Sequence, residues 1–216
     1  MKRSEQIIAD LGQIASVNVE VELLNLYRGL PIVHKASIAK IEGGMVTFRV
    51  HKHQLVCLDA EKQTVILSEI LQEAVGASVV ALDKQTSTAD LTNFVYTAQK
   101  LGERMMVRVE PKGSISVEVA ADGGKAVAAL ADISLNGVGL RMPGVGVRLK
   151  KKMPVKLTLQ LPNAQINAAG VVRYVKQDAD SFRAGVDFSQ DVRVKALVAQ
   201  YITGRRAEIL NELDAA

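Results

Sequence analysis

No tryptophan occurs in these 216 residues, and a single cysteine, Cys57, stands alone. Aromatic residues make up only 4 %, so any core must be aliphatic, built from Val, Leu, Ile and Ala. One thiol excludes an intrachain disulfide framework and fits a reducing compartment. No uninterrupted apolar run approaches about 18 residues, so no membrane-spanning helix is expected. The opening Met1-Lys2-Arg3-Ser4-Glu5 leads into an amphipathic stretch containing Asp10 rather than a signal segment, and the chain is expected to be cytoplasmic. The Gly-x-x-x-x-Gly-Lys phosphate loop and the Gly-x-Ser-x-Gly elbow are both missing. No catalytic residue is assigned, and the protein is read as a non-enzyme. Charge of one sign is not dominant either. The net charge of +4 permits an anionic partner without demanding one.

What is present is enough apolar content, 48 %, for two small cores. Ile7, Ile8, Leu11 and Ile14 give one helical stripe over residues 4–15, with Ser4 as cap. From Val17 the period changes to two: Val17, Val19, Val21 and Leu23 alternate with polar residues and predict a half-buried strand. Residues 32–41 and 45–50 flank Glu42-Gly43-Gly44, a hairpin signal. Residues 56–58 and 64–67 flank Asp59-Ala60-Glu61-Lys62 and predict a second hairpin. Residues 79–82 and 91–96 complete the set. After a connector, strands are expected at 115–119, 125–133, 137–142, 155–161, 165–176 and 181–188. A long final helix follows from Ser189, with a kink or cap at Gly204. The fold class is therefore mainly β: two small antiparallel barrels in tandem with an N-terminal and a C-terminal helix. The expected divisions are 1–97, a connector 98–103, and 104–216.

Two short patterns carry chemistry. Arg104-Met105-Met106-Val107-Arg108 offers two guanidinium forks four residues apart, each able to bond guanine O6 and N7, grip phosphate or stack on a base. Asp132-Ile133-Ser134-Leu135-Asn136-Gly137 puts a carboxylate and a hydroxyl on one strand face, because side chains alternate. The carboxylate accepts from guanine N1–H and N2–H₂, the hydroxyl donates to phosphate, and Gly137 permits close backbone approach. The bland readings are a solvated arginine pair, and turn chemistry for Asp132 and Ser134. Arg104, Arg108, Asp132, Ser134 and Gly137 are the principal ligand candidates. Glu103, Asn136, Gly139 and Arg173 are secondary ones.

The two patterns in this order resemble the PilZ domain family, receptors for the bacterial messenger cyclic di-GMP. The resemblance runs from about residue 102 to about residue 203. It includes Leu159-Gln160-Leu161-Pro162, which looks like the family's barrel strand ending in proline. Gly170 to Val175 and Arg183-Ala184-Gly185-Val186-Asp187-Phe188 look like its last two strands. The resemblance implies a β-barrel receptor that binds one or two cyclic di-GMP molecules and needs no cofactor. With the N-terminal β-domain it is similar to flagellar-brake-like two-domain members, whose output is on motility, adhesion or polysaccharide secretion through a protein effector. Many relatives carry a further arginine directly before the first motif arginine, where this chain has Glu103. That departure supports an alternative, a non-binding interaction module of the same fold.

Other features carry less. His51-Lys52-His53 places two imidazoles on one expected strand face with Cys57 at the same parity, and His34 is the remaining histidine. A metal site needs three or four ligands and a supporting second shell, so no metal is assigned. Arg148, Lys150, Lys151 and Lys152 form a basic run, best read as a solvated edge. A nucleic-acid binder is the second alternative, disfavoured because no aromatics interleave the run. The apolar side of the last helix suits core or a homodimer seam.

Overall fold

A computed structural model of the chain describes residues 3–97, 107–122, 124–143, 148–178, 181–189 and 191–216. It divides into two compact units, Met1–Arg104 with Asn211–Ala216, and Met105–Leu210.

The first unit opens with α1 (Arg3–Ser16). Its stripe of Ile7, Leu11 and Ile14 is fully buried in the core, as their helical spacing requires. The strands β1 (Val21–Tyr27), β2 (Leu30–Glu42), β3 (Met45–Arg49), β4 (Gln63–Leu67), β5 (Val75–Asp83) and β6 (Thr88–Tyr96) close into an antiparallel barrel in the order β1-β2-β3-β6-β5-β4. Gly43 and Gly44 both take positive φ, which lets a two-residue turn join β2 to β3 with Glu42 opposite Met45.

Two expectations fail here. Val17 and Val19 are exposed and lie outside any strand. Helix α1 instead closes on itself through bonds from the amides of Val17, Asn18 and Val19 back to the carbonyls of Gln13, Ala15 and Ile14, with Asn18 left-handed. Residues 56–58 are not a strand either. They belong to α2 (Lys52–Glu61), capped by His51, whose Nδ1 accepts from the His53 amide. Gln54, Leu55, Cys57 and Leu58 form its buried face. Burial, with Glu61 nearby, pushes the Cys57 thiol up to about 12.

The second unit is built from β7 (Arg108–Val109), β8 (Ser116–Ala121), β9 (Gly124–Ser134), β10 (Gly137–Pro143), β11 (Pro154–Leu161), β12 (Ala164–Asp178) and β13 (Ser181–Phe188). They run β10-β13-β12-β11-β8-β9, and pairing of β9 with β10 closes the ring, while β7 adds to β9. Alternation puts Val117, Val119, Ile133, Val138, Leu140, Leu157, Leu159, Val172 and Val186 inside.

Helix α3 (Val192–Asp214) begins three residues later than expected. Asp191, not Ser189, starts it, its Oδ1 accepting from the amides of Arg193 and Val194. Val194, Val198, Ile202, Arg205 and Ile209 are its buried stripe in this unit. Arg205 is buried because its Nε donates to the Glu110 carbonyl, 2.9 Å, and its Nη1 to Glu208, 3.0 Å. The helix runs through Gly204 without a break. Among the described residues no helix is long and apolar enough to cross a membrane.

Candidate functional site

Of the candidate residues, Arg108, Asp132, Ser134 and Gly137 lie together on the outer wall of the second barrel. Ile133 points into the core, so its neighbours Asp132 and Ser134 face outward, and Arg108 on β7 pairs directly with Ser134. Nη1 of Arg108 donates to Oδ1 of Asp132 at 3.1 Å. The other carboxylate oxygen, Oδ2, accepts from Nη2 of Arg183 at 2.8 Å. Asp132 is thereby nearly buried while both guanidiniums stay about half exposed. Bonding to Asp132 raises the Arg183 pKa further.

Arg183 reaches this carboxylate across a strand. Asp132 pairs with Gly139 on β10, and Gly139 pairs with Gly185 on β13, two residues from Arg183. The intervening position must be glycine. A Cβ on Gly139 would lie 2.5 Å from Asp132 Oδ2, and one on Gly185 would lie 2.3 Å from the Tyr174 ring. A Cβ on Gly137 would meet the Val186 carbonyl at 2.2 Å. The result is a glycine floor on which the Asp132 carboxylate and the Tyr174 ring rest, with Arg108 and Arg183 at its edges. Arg141, exposed, is the cross-strand partner of Arg183.

The remaining candidates are distributed as follows. The Ser134 hydroxyl donates to the Gly137 carbonyl at 3.2 Å, which is turn chemistry at the β9–β10 hairpin. The Asn136 carbonyl accepts from the Phe188 amide, and its side chain is exposed. Arg173 pairs with Asp187 at the surface. Arg104 and Glu103 lie outside the described residues. Sequence reasoning missed Arg183 and Tyr174 as site residues. Their signal was the alternation of β12 and β13, which sets Arg183, Gly185 and Tyr174 on the same face as Asp132 once the strands are registered.

Residues 103–204, close to half of the chain, match the model of the PilZ domain family, so this stretch is identified as a PilZ domain. No curated protein matches the sequence. Among solved structures, MrkH of K. pneumonia in complex with c-di-GMP is similar with a TM-score of 0.52 at 13 % identity, covering 98 % of this chain and 98 % of that one. YcgR of Escherichia coli in complex with c-di-GMP gives 0.49 at 12 % identity, covering 99 % and 95 %. The Bacillus subtilis inhibitor of motility, MotI/DgrA, gives 0.45 at 12 % identity, covering 88 % and 97 %. At these identities the likeness is one of fold, and for MrkH it extends along the whole chain.

Proposed function

We propose that the protein is a non-catalytic receptor for cyclic di-GMP, bound on the wall that carries Arg108, Asp132 and Arg183. The observation that carries this reading is the pair of guanidiniums held by one nearly buried carboxylate above a floor of glycines. Such forks suit guanine edges and phosphate, and the Tyr174 ring beside them offers a face on which a base can stack. Asp132 serves first to orient the two forks. The PilZ domain supports the same ligand, which is also the one named for the MrkH complex.

Arg104 adds a further fork from the connector side. Ligand held there orders residues 98–103 and changes the arrangement of domains 1–97 and 104–216. The readout is altered contact with a protein effector of motility, adhesion or polysaccharide secretion. A ligand shifts such an equilibrium only by its differential affinity for the two arrangements.

The test is isothermal titration with cyclic di-GMP, with GTP and cyclic di-AMP as controls. Heat with cyclic di-GMP alone is expected. Arg108→Ala should weaken binding by about 10- to 100-fold, from ~1–3 kcal/mol per lost bidentate contact. Unchanged affinity in that variant would refute the site. Glu103, standing where many relatives have arginine, favours a second reading as a non-binding interaction module; a titration without heat or melting shift would select it.

A further inference from the structure

His34 on β2, His51 at the cap of α2 and His53 in its first turn come together in the first unit. One ring nitrogen from each lies within 4.8 Å of the others. The ring centroids of His34 and His51 are 4.1 Å apart, those of His51 and His53 4.6 Å, and those of His34 and His53 5.5 Å. The sequence alone offered too few ligands because it read His51 and His53 as strand residues. The helix start instead turns both toward β2. The second shell is present too: Nε2 of His53 lies 2.8 Å from Oδ1 of Asp214, in the same unit. A carboxylate on one ring nitrogen fixes the tautomer and presents the other nitrogen as a ligand.

We propose that His34, His51 and His53 form a three-histidine site for a divalent late transition ion, zinc foremost, with solvent completing the coordination. Imidazole suits such ions, whereas magnesium and calcium require oxygen ligands. Cys57 is buried and takes no part in the cluster. A tetrahedral zinc holds each nitrogen at about 2.0–2.1 Å, which brings the nitrogens to about 3.3 Å from one another. The rings must therefore draw together by an ångström or so, and His51 must turn out of its near-parallel stack on His34, because stacked rings direct their lone pairs side by side. His51 is the one that moves, since it is exposed and is held by ring contacts with His34 and His53 and by the cap bond, 3.2 Å, that Nδ1 accepts from the His53 amide. Binding ties α2 to β2.

The experiment uses full-length protein without a histidine tag, stripped with a chelator. Zinc is titrated by calorimetry and cobalt(II) by visible absorption. One zinc per chain is expected, with the intense d–d bands of a four-coordinate cobalt complex and a raised melting temperature in zinc. His34→Gln leaves the α2 cap intact and should lower zinc affinity by about tenfold or more, and Asp214→Asn by about 10- to 100-fold. Circular dichroism checks each variant's fold; should His34→Gln not fold, His51→Gln is read by the same criterion. No binding of either ion in large excess would overturn the proposal. So would full affinity in the His34 variant, which would reduce the site to two imidazoles at a helix end.

Discussion

The Asp132 carboxylate sits in a place where water hardly reaches, and its two arginines make that tolerable. A nearly buried carboxylate without partners would cost several kcal/mol. Each fork donates to a different oxygen, but each is about half exposed, so either pair taken singly contributes on the order of 1 kcal/mol. The value of the arrangement lies in orientation, and Gly139 is its most sensitive point. Gly139→Ala drives a methyl into Oδ2 of Asp132. It should lower cyclic di-GMP affinity by about tenfold, roughly 1.4 kcal/mol, while the barrel still folds. Calorimetry alongside a melting curve separates the two effects, and wild-type affinity would show that the carboxylate does not set the forks. The outward pair Asp132 and Ser134 was legible from strand alternation alone. Arg183 was not, because its approach crosses β10, and the register of three strands is not written in any local spacing.

Helix α2 shows why an element can be misread. Its buried face includes Gln54, whose amide donates to Asn25 on β1 at 2.6 Å. A polar residue on the buried side breaks the apolar stripe that sequence reading looks for, and Val56-Cys57-Leu58 alone passes for a strand. The start of β1 fails for another reason. The alternation of Val17 and Val19 is real, but the helix before it closes with a left-handed Asn18 and delays the strand to Val21. From β8 to β13 the strands of the second barrel were legible to within a few residues because their turns carry glycine or polar clusters, although bulges at Gly139/Leu140 and Val172/Tyr174 interrupt the pairing register. At Gly204 the helix pays the glycine penalty without using its freedom: a Cβ there meets nothing within 4 Å. Gly204→Ala should raise stability by about 0.5–1 kcal/mol, read from urea unfolding. A loss of stability would mean that this turn of α3 needs glycine for a reason its own surroundings do not supply.

Over the whole molecule, the proposed nucleotide site belongs to the second unit and the proposed zinc site to the first. Ligand present at a hundred times its Kd adds about 2.7 kcal/mol to the part that binds it. Hydrogen exchange with saturating cyclic di-GMP should therefore slow in β7, β9, β10 and β13. Direct protection is not expected in β1 to β6. Protection confined to the first barrel would place the nucleotide on the wrong unit.

The native thiol at Cys57 has a practical consequence. Fully covered and held far from its thiolate form at neutral pH, it should ignore maleimides while the fold is intact. Cysteines introduced at Val80 and Val127, 57 % and 61 % exposed, would then take a donor and an acceptor dye with no need to replace the natural one. Energy transfer between the dyes would follow, in real time, whether the messenger brings the two barrels to a new separation.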